Sequence, residues 1–158
     1  MFDVYQRDYG HVQGSFNLQS QVIWDIFLKF QKDHGISGHM FEIGVQFGKS
    51  AILSALHAHP NEALVYCDLY LRDDAQAHVS QVAGPGAAFL RKSSASISVE
   101  RELIQEEKGY RWIHIDGNHS AQFVYNDLVI ADRILDETGI VVLDDFFSVQ
   151  YPQVTEAF

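Results

Sequence analysis

The chain has 158 residues, enough for a single domain with its own core, and 47% of them are hydrophobic. The 11 basic residues against 21 acidic ones leave a formal charge of −10, which repels a phosphate backbone and argues against nucleic acid as a partner. Cys67 has no second cysteine for an internal disulfide, no stretch approaches the ~20 apolar residues of a membrane span, and residues 1–10 lack a secretory apolar run, so a cytoplasmic setting off the membrane is expected.

Residues 1–38 read as an N-terminal helical or cap segment ahead of a core over residues 39–158. The first 16 residues carry Phe2, Tyr5, Tyr9 and Phe16, as cover for a substrate or as packing on the sheet. Over Leu18–Asp33, the residues Val22, Ile23, Ile26, Phe27 and Phe30 recur at helical spacing and predict a helix with that face turned to the core, stopped by Gly35 and Gly38. A strand follows at His39–Ile43, then a helix over 48–59 ended by Pro60, and a strand over 63–68. A helix over 73–81 is broken by Gly84-Pro-Gly86 before a strand at Ala87–Leu90. A helix over 99–108, with Leu103 and Ile104 apolar, leads to a strand over 111–115. The next helix spans 121–137, with Phe123, Leu128, Ile130, Ala131, Ile134 and Leu135 as core candidates. Residues 140–143 are apolar throughout, as in a strand buried on both faces, and a further helix begins within 149–158.

This alternation predicts a doubly wound α/β domain with a mainly parallel sheet and right-handed crossovers. In such a sheet ligands gather beyond the carboxyl ends of the strands. Each predicted strand ends there in a polar or glycine cluster: Glu42-Ile-Gly44, Asp68, Ser93-Ser94, Asp116-Gly-Asn-His119 and Asp144-Asp145. Loops are polar anyway, but five such clusters on one edge define a site.

Residues 42–50 read Glu-Ile-Gly-Val-Gln-Phe-Gly-Lys-Ser. A dinucleotide fingerprint fails at Gln46. A P-loop gains Lys49-Ser50 but has one residue too few between Gly44 and Gly48. With residues 140–144 imitating a metal-binding strand, a degenerate P-loop phosphohydrolase is the alternative reading. The pattern E-x-G-x-x-x-G-x-S, followed by Asp68 at the next strand end, fits an adenosine group better. A carboxylate there accepts both ribose hydroxyls and tolerates a positive sulfonium.

Taken in order, residues 42–50, Tyr66-Cys-Asp68, Ile115-Asp-Gly-Asn-His-Ser120 and Ile140-Val-Val-Leu-Asp-Asp145 resemble a class I S-adenosylmethionine-dependent methyltransferase. The nearest likeness is to the small-molecule O-methyltransferase group, macrocin-type sugar enzymes and, more distantly, catechol-type ones. It runs from about residue 40 to residue 147. The resemblance implies S-adenosylmethionine as cofactor and a small-molecule acceptor. Glu42, Gly44 and Val45 would line the methionine end, with Gly48 opening the helix and Ser50 near the carboxylate. Asp68 would hold the ribose, Leu69 would lie beside the adenine, and Ser94 would approach its edge. Asp116, bordering the cofactor, joins Asp144 and Asp145 as the acidic ligands of a Mg2+ ion in metal-dependent members. That ion would bind and acidify the acceptor hydroxyl.

Three carboxylates at adjacent strand ends repel one another without a cation. Asp144 and Asp145 are chain neighbours, so both reach one ion only if the strand has already turned into a loop. Where relatives carry a second aspartate, this chain has Asn118, which cannot take a proton. His119 beside Asp116 is the nearest catalytic substitute, since an ordinary imidazole titrates near ~6.5. His114 reads as a core residue, and His57 with His59 does not share a helix face suited to a metal. The family sheet carries two more strands than this chain has room for, so a truncated, non-catalytic cofactor-binding domain is the other alternative. An open sheet edge predicts a homo-oligomer.

Overall fold

The computed structural model describes residues 1–103 and 108–158. Helices α1 (Phe2–Tyr9) and α2 (Leu18–Asp33) precede β1 (His39–Ile43), α3 (Lys49–Leu56), β2 (Leu64–Cys67), α4 (Asp73–Ala83) and β3 (Ala87–Leu90). Then come β4 (Tyr110–Ile115), α5 (Ala121–Ile134), β5 (Leu135–Leu143) and α6 (Pro152–Ala157). The five strands form one sheet in the order β3-β2-β1-β4-β5, and every pair is parallel. The order reverses between β1 and β4, which places the cleft of a doubly wound sheet beyond their carboxyl ends.

Alternate strand residues feed two cores. On one face Met40, Leu64, Tyr66 and Trp112 pack with Tyr5, Trp24, Leu28, Ile52 and Leu53 from α1, α2 and α3. On the other, Phe41, Ile43, Val65, Ile113 and Ile115 pack with Ile130, Ala131 and Ile134 of α5.

Helix α2 has the predicted bounds but the opposite orientation. Val22, Ile23, Ile26, Phe27 and Phe30 are all exposed, and the buried stripe is Gln21, Trp24, Leu28 and Gln31. Specific partners decide this. The Trp24 ring sits edge-on to Phe16, Trp112 and His114, with centroids 4.6–5.0 Å apart. Gln31 Nε2 donates to the Arg111 carbonyl at 2.8 Å, and its Oε1 accepts from the Arg111 guanidinium at 2.7 Å. Arg111 is wholly buried and forms a two-pronged pair with Glu62 at 2.7 Å on each prong. A glutamine with fully used polar groups can occupy a core position that a hydrophobicity count assigns to the other face.

One other difference concerns an element end. The helix expected over 121–137 stops at Ile134, and Leu135 instead begins β5 by pairing with Tyr110. The register then jumps to Trp112 opposite Ile140. Gly139 makes this possible, because a Cβ there would lie 2.6 Å from the Tyr110 carbonyl oxygen. Of the helix expected over 99–108, Val99–Leu103 is a π-helical turn and residues 104–107, Ile104 among them, lie outside the described residues. Helix α1 lies within the N-terminal helical segment; Tyr5 anchors it by donating to the Lys49 carbonyl at 3.0 Å.

Candidate active site

The turn leaving β1 is set by how closely two strand ends approach. Gly44 has φ +89°, and a Cβ there would fall 1.9 Å from the Asp116 carbonyl oxygen. The glycine is therefore required by protein backbone at the β1–β4 switch, quite apart from any ligand. Gly48, at φ +83°, opens α3. Asp68 ties this turn down: its Oδ2 accepts from the Val45 and Gln46 amides at 2.9 and 2.8 Å, and its Oδ1 from the Tyr70 amide at 2.7 Å. An ionised carboxylate has about four acceptor sites, so Asp68 can hold the loop and still face the cleft it lines.

These bonds bear on the phosphate-loop alternative. The Gly44 and Gly48 amides donate to the Cys67 and Val45 carbonyls, at 2.9 and 2.7 Å. With the Val45 and Gln46 amides committed to Asp68, the loop does not present the open row of donors that cradles a phosphate.

Glu42 lies beneath the turn, 2% exposed, and accepts from the Ser50 hydroxyl. His114 Nδ1 stands 3.3 Å from the same oxygen. Burial opposes a charge on His114, but Glu42 beside it, with Asp116 and Asp144 nearby, outweighs burial and raises its pKa. Glu42 is thus a floor for Ser50 and His114 and does not line the main cleft, whereas Ser50, Val45 and Gly44 border a small hollow of about 20 Å³ with room for one water.

The acidic group does not converge as expected. Asp145 has φ +55°, and Asp144 Oδ1 accepts its amide at 2.9 Å, so the two side chains part. Among the described residues, two sets of ligand atoms come within 4.8 Å: His114, Asp116 and Asp144, and separately Asp116, His119 and Asp145. Asp116 belongs to both. Burial, then Asp144 and Asp145, pushes its carboxyl up to about 6, against the opposing pull of His114 and His119. His119 Nε2 lies 3.1 Å from Asp145 and 3.5 Å from Asp116, and its ring stacks on Tyr151 with centroids 4.0 Å apart. Asn118 accepts the Ser120 amide at 2.9 Å, a turn that leads the chain into α5.

Around these groups opens a cleft of about 1170 Å³. It exceeds the ~300–1,000 Å³ of a single-ligand pocket and suits two small molecules side by side. Asp68, Leu69, Ser94, Gly44, Asp116, His119, Asp144 and Asp145 all line it. Val45, Gly48, Ser50 and Glu42 support it from behind. Phe47, Phe123, Gln150 and Tyr151 also form its wall, Phe123 facing the cleft in place of the core position expected of it; the location of Phe123 and Tyr151 after the β4 and β5 ends is the one signal that points to them. Cys67 also borders it, with its thiol pushed up to about 12 by burial and by Asp127 and Asp68.

Residues 41–146 match a family model described as a methyltransferase domain. No curated protein matches the chain. Among solved structures, the chain is similar to the apo form of CalS11, a TDP-rhamnose 3′-O-methyltransferase of calicheamicin biosynthesis. The TM-score is 0.69 at 15% identity, covering 90% of this chain and 70% of that one. It is likewise similar to TomG from Streptomyces achromogenes, an O-methyltransferase of tomaymycin synthesis in complex with S-adenosylmethionine. There the TM-score is 0.69 at 12% identity, covering 99% of this chain and 73% of that one.

Proposed function

The chain belongs to the methyltransferase-domain family, as a class I S-adenosylmethionine-dependent methyltransferase, and from that premise we propose that it methylates a hydroxyl oxygen of a small molecule. The observation that carries this reading is the placement of Asp68, His119 and Asp116 around one cleft large enough for cofactor and acceptor together. The two similar solved structures are O-methyltransferases, which supports oxygen as the acceptor atom.

The acceptor site left free on Asp68 would take a ribose hydroxyl, with Leu69 and Ser94 beside the base. The Gly44–Ser50 turn would receive the amino-acid end. Such transfer is a direct displacement: the acceptor oxygen forms a bond to the methyl carbon as the carbon–sulfur bond breaks and its electron pair returns to sulfur. The protein mainly aligns the two molecules and removes a proton. His119 would take the acceptor's hydroxyl proton, with Asp145 and Asp116 holding the imidazolium that results. Tyr151 fixes the plane of the ring.

The donor set fits a hard divalent cation such as Mg2+, since carboxylate oxygens dominate it and Asp116 is disfavoured as an anion when alone. Asp116 would be the shared ligand, with Asp144 on one side or Asp145 on the other. A bound ion would lower the acceptor hydroxyl's pKa.

Calorimetry with S-adenosylhomocysteine tests the cofactor site. Asp68→Ala should weaken binding by roughly 10- to 100-fold, the loss of one charge-assisted hydrogen bond. An unchanged Kd removes the ribose assignment. Transfer of labelled methyl to a sugar or catechol hydroxyl, lost in His119→Ala, would support the acceptor class, and transfer only to nitrogen would refute it.

A further inference from the structure

Helix α2 is apolar on two sides, and the protomer covers one of them. Trp24 and Leu28 face inward with Gln21 and Gln31, while Leu18, Val22, Ile23, Ile26, Phe27 and Phe30 stand 39–60% exposed on the other side. Leu18, Val22, Ile26 and Phe30 follow one another at four-residue spacing, and Ile23 with Phe27 forms a second such row beside them. Residues four apart are neighbours on a helix surface, so the six make one continuous stripe. A helix that is apolar all round belongs in an interior. Single exposed apolar side chains need no explanation, but a contiguous patch of this kind marks a contact surface.

Charge narrows the choice of partner. The chain carries −10 overall, yet the charged residues of α2, Asp25, Lys29, Lys32 and Asp33, cancel. Asp25 is held inward by His57 Nε2 at 2.7 Å, and Lys29 pairs with Asp33. A second copy of the chain can meet this face without the repulsion that a contact between acidic surfaces would bring. A lipid surface fits poorly: helices that lie on membranes carry a basic polar face, and anionic headgroups repel an acidic protein. Area agrees with a second copy. At roughly 100 Å² of exposed surface each, the six side chains offer about 600 Å², so two facing stripes bury about 1,200 Å², the lower end of a specific interface.

We propose that this face pairs with the same face of a second copy, giving a symmetric dimer in which the two α2 helices cross with Ile26 near the two-fold axis. A symmetric interface sets the middle of a patch against itself, and Ile26 lies in the middle of this one. The four-residue rows are the ridges that interlock when two helices pack at about −50°. An interface of this size predicts micromolar affinity. The pairing stands independently of the methyl-transfer reading, but it bears on the cleft. Asn17, the N-cap of α2, stands in the cleft wall, and Trp24 packs on His114 from the inward side, so the dimer holds in place the helix that walls the site.

Sedimentation velocity over roughly 1–200 µM protein reads the pairing, and wild type should pass from monomer to dimer within that range. Ile26→Lys sets like charges against each other at the axis and should weaken the dimer by at least about 100-fold, with its melting temperature in dilute solution unchanged. Phe147→Gln removes a more exposed aromatic side chain after β5 and should leave the dimer as it is. Ile26→Cys supplies an accessible thiol in a chain whose own Cys67 is buried, so copper–phenanthroline in air should join two chains through position 26. A wild type that stays monomeric at the highest concentration, whether or not it binds lipid vesicles, overturns the proposal. So does a dimer that survives Ile26→Lys, which would move association to another surface such as the open edge of β5. Equal loss of the dimer in Phe147→Gln, the mark of unspecific apolar association, overturns it as well.

Discussion

Replacing Asp116 by asparagine should stabilise the metal-free protein while abolishing its activity. The side chain keeps its shape and loses its charge. Burial and the carboxylates of Asp144 and Asp145 lift the Asp116 pKa from 3.8 to about 6, net of the favourable pull of His114 and His119. A shift of about two units corresponds to ~3 kcal/mol of native-state cost when the group is ionised. The side chain is 33% exposed, so solvent screening reduces this to roughly 1–2 kcal/mol. The sign follows from linkage: the folded state holds its proton more tightly, so this group's contribution is fully present below about pH 4 and is lost as pH rises through about 6. Urea unfolding in the presence of chelator, run for wild type and Asp116→Asn across that range, reads the difference directly. The variant should gain over the wild type between about pH 4 and 6 and hold its advantage at neutral pH. A variant that is less stable at neutral pH, or a stability difference that ignores pH, would refute the reasoning. Added magnesium should raise the wild-type unfolding free energy by ~2.7 kcal/mol at a hundred times its Kd, and leave the variant's unmoved.

Two further outcomes test the fold that holds this site. Arg111→Met should destabilise by ~3–5 kcal/mol in urea unfolding, because Glu62 would keep a buried charge with its guanidinium partner gone. Ile26→Gln, on the exposed side of α2, should change the stability of dilute, monomeric protein by no more than ~0.5 kcal/mol, whereas a loss of several kcal/mol would mean that this face is covered within the protomer.

The strands were the most legible part of the chain. His39–Ile43 and Ala87–Leu90 fall where the apolar runs place them; β1, in the middle of the sheet, is buried along its whole length, whereas β3 at the edge and residues 140–143 of β5, expected to be buried on both faces, are only half-buried because no strand covers their outer side among the described residues. Helix orientation was less legible. The Leu18–Asp33 pattern identifies a helix correctly, but its inward face depends on bonds from Gln31 to Arg111 across 80 positions of sequence. No local period encodes such a contact. The start of β5 was hidden for a similar reason: Leu135 continues a helical pattern, and only its pairing with Tyr110 makes it a strand.

At the site, composition and order revealed which residues gather, and the backbone decided how they divide. All five strands run the same way, so their carboxyl ends, and every acidic cluster that follows them, must share one edge. That brings Asp68, Asp116, Asp144 and Asp145 to a single cleft in a chain already at −10. The left-handed φ at Asp145 then sends neighbouring carboxylates apart, each toward a different histidine, with Asp116 between them. A cleft built this way disfavours a polyphosphate and favours positive charge, which the sulfonium of S-adenosylmethionine and a divalent cation both carry. The electrostatic strain on Asp116 and the choice of a cationic methyl donor are thus two consequences of one parallel sheet.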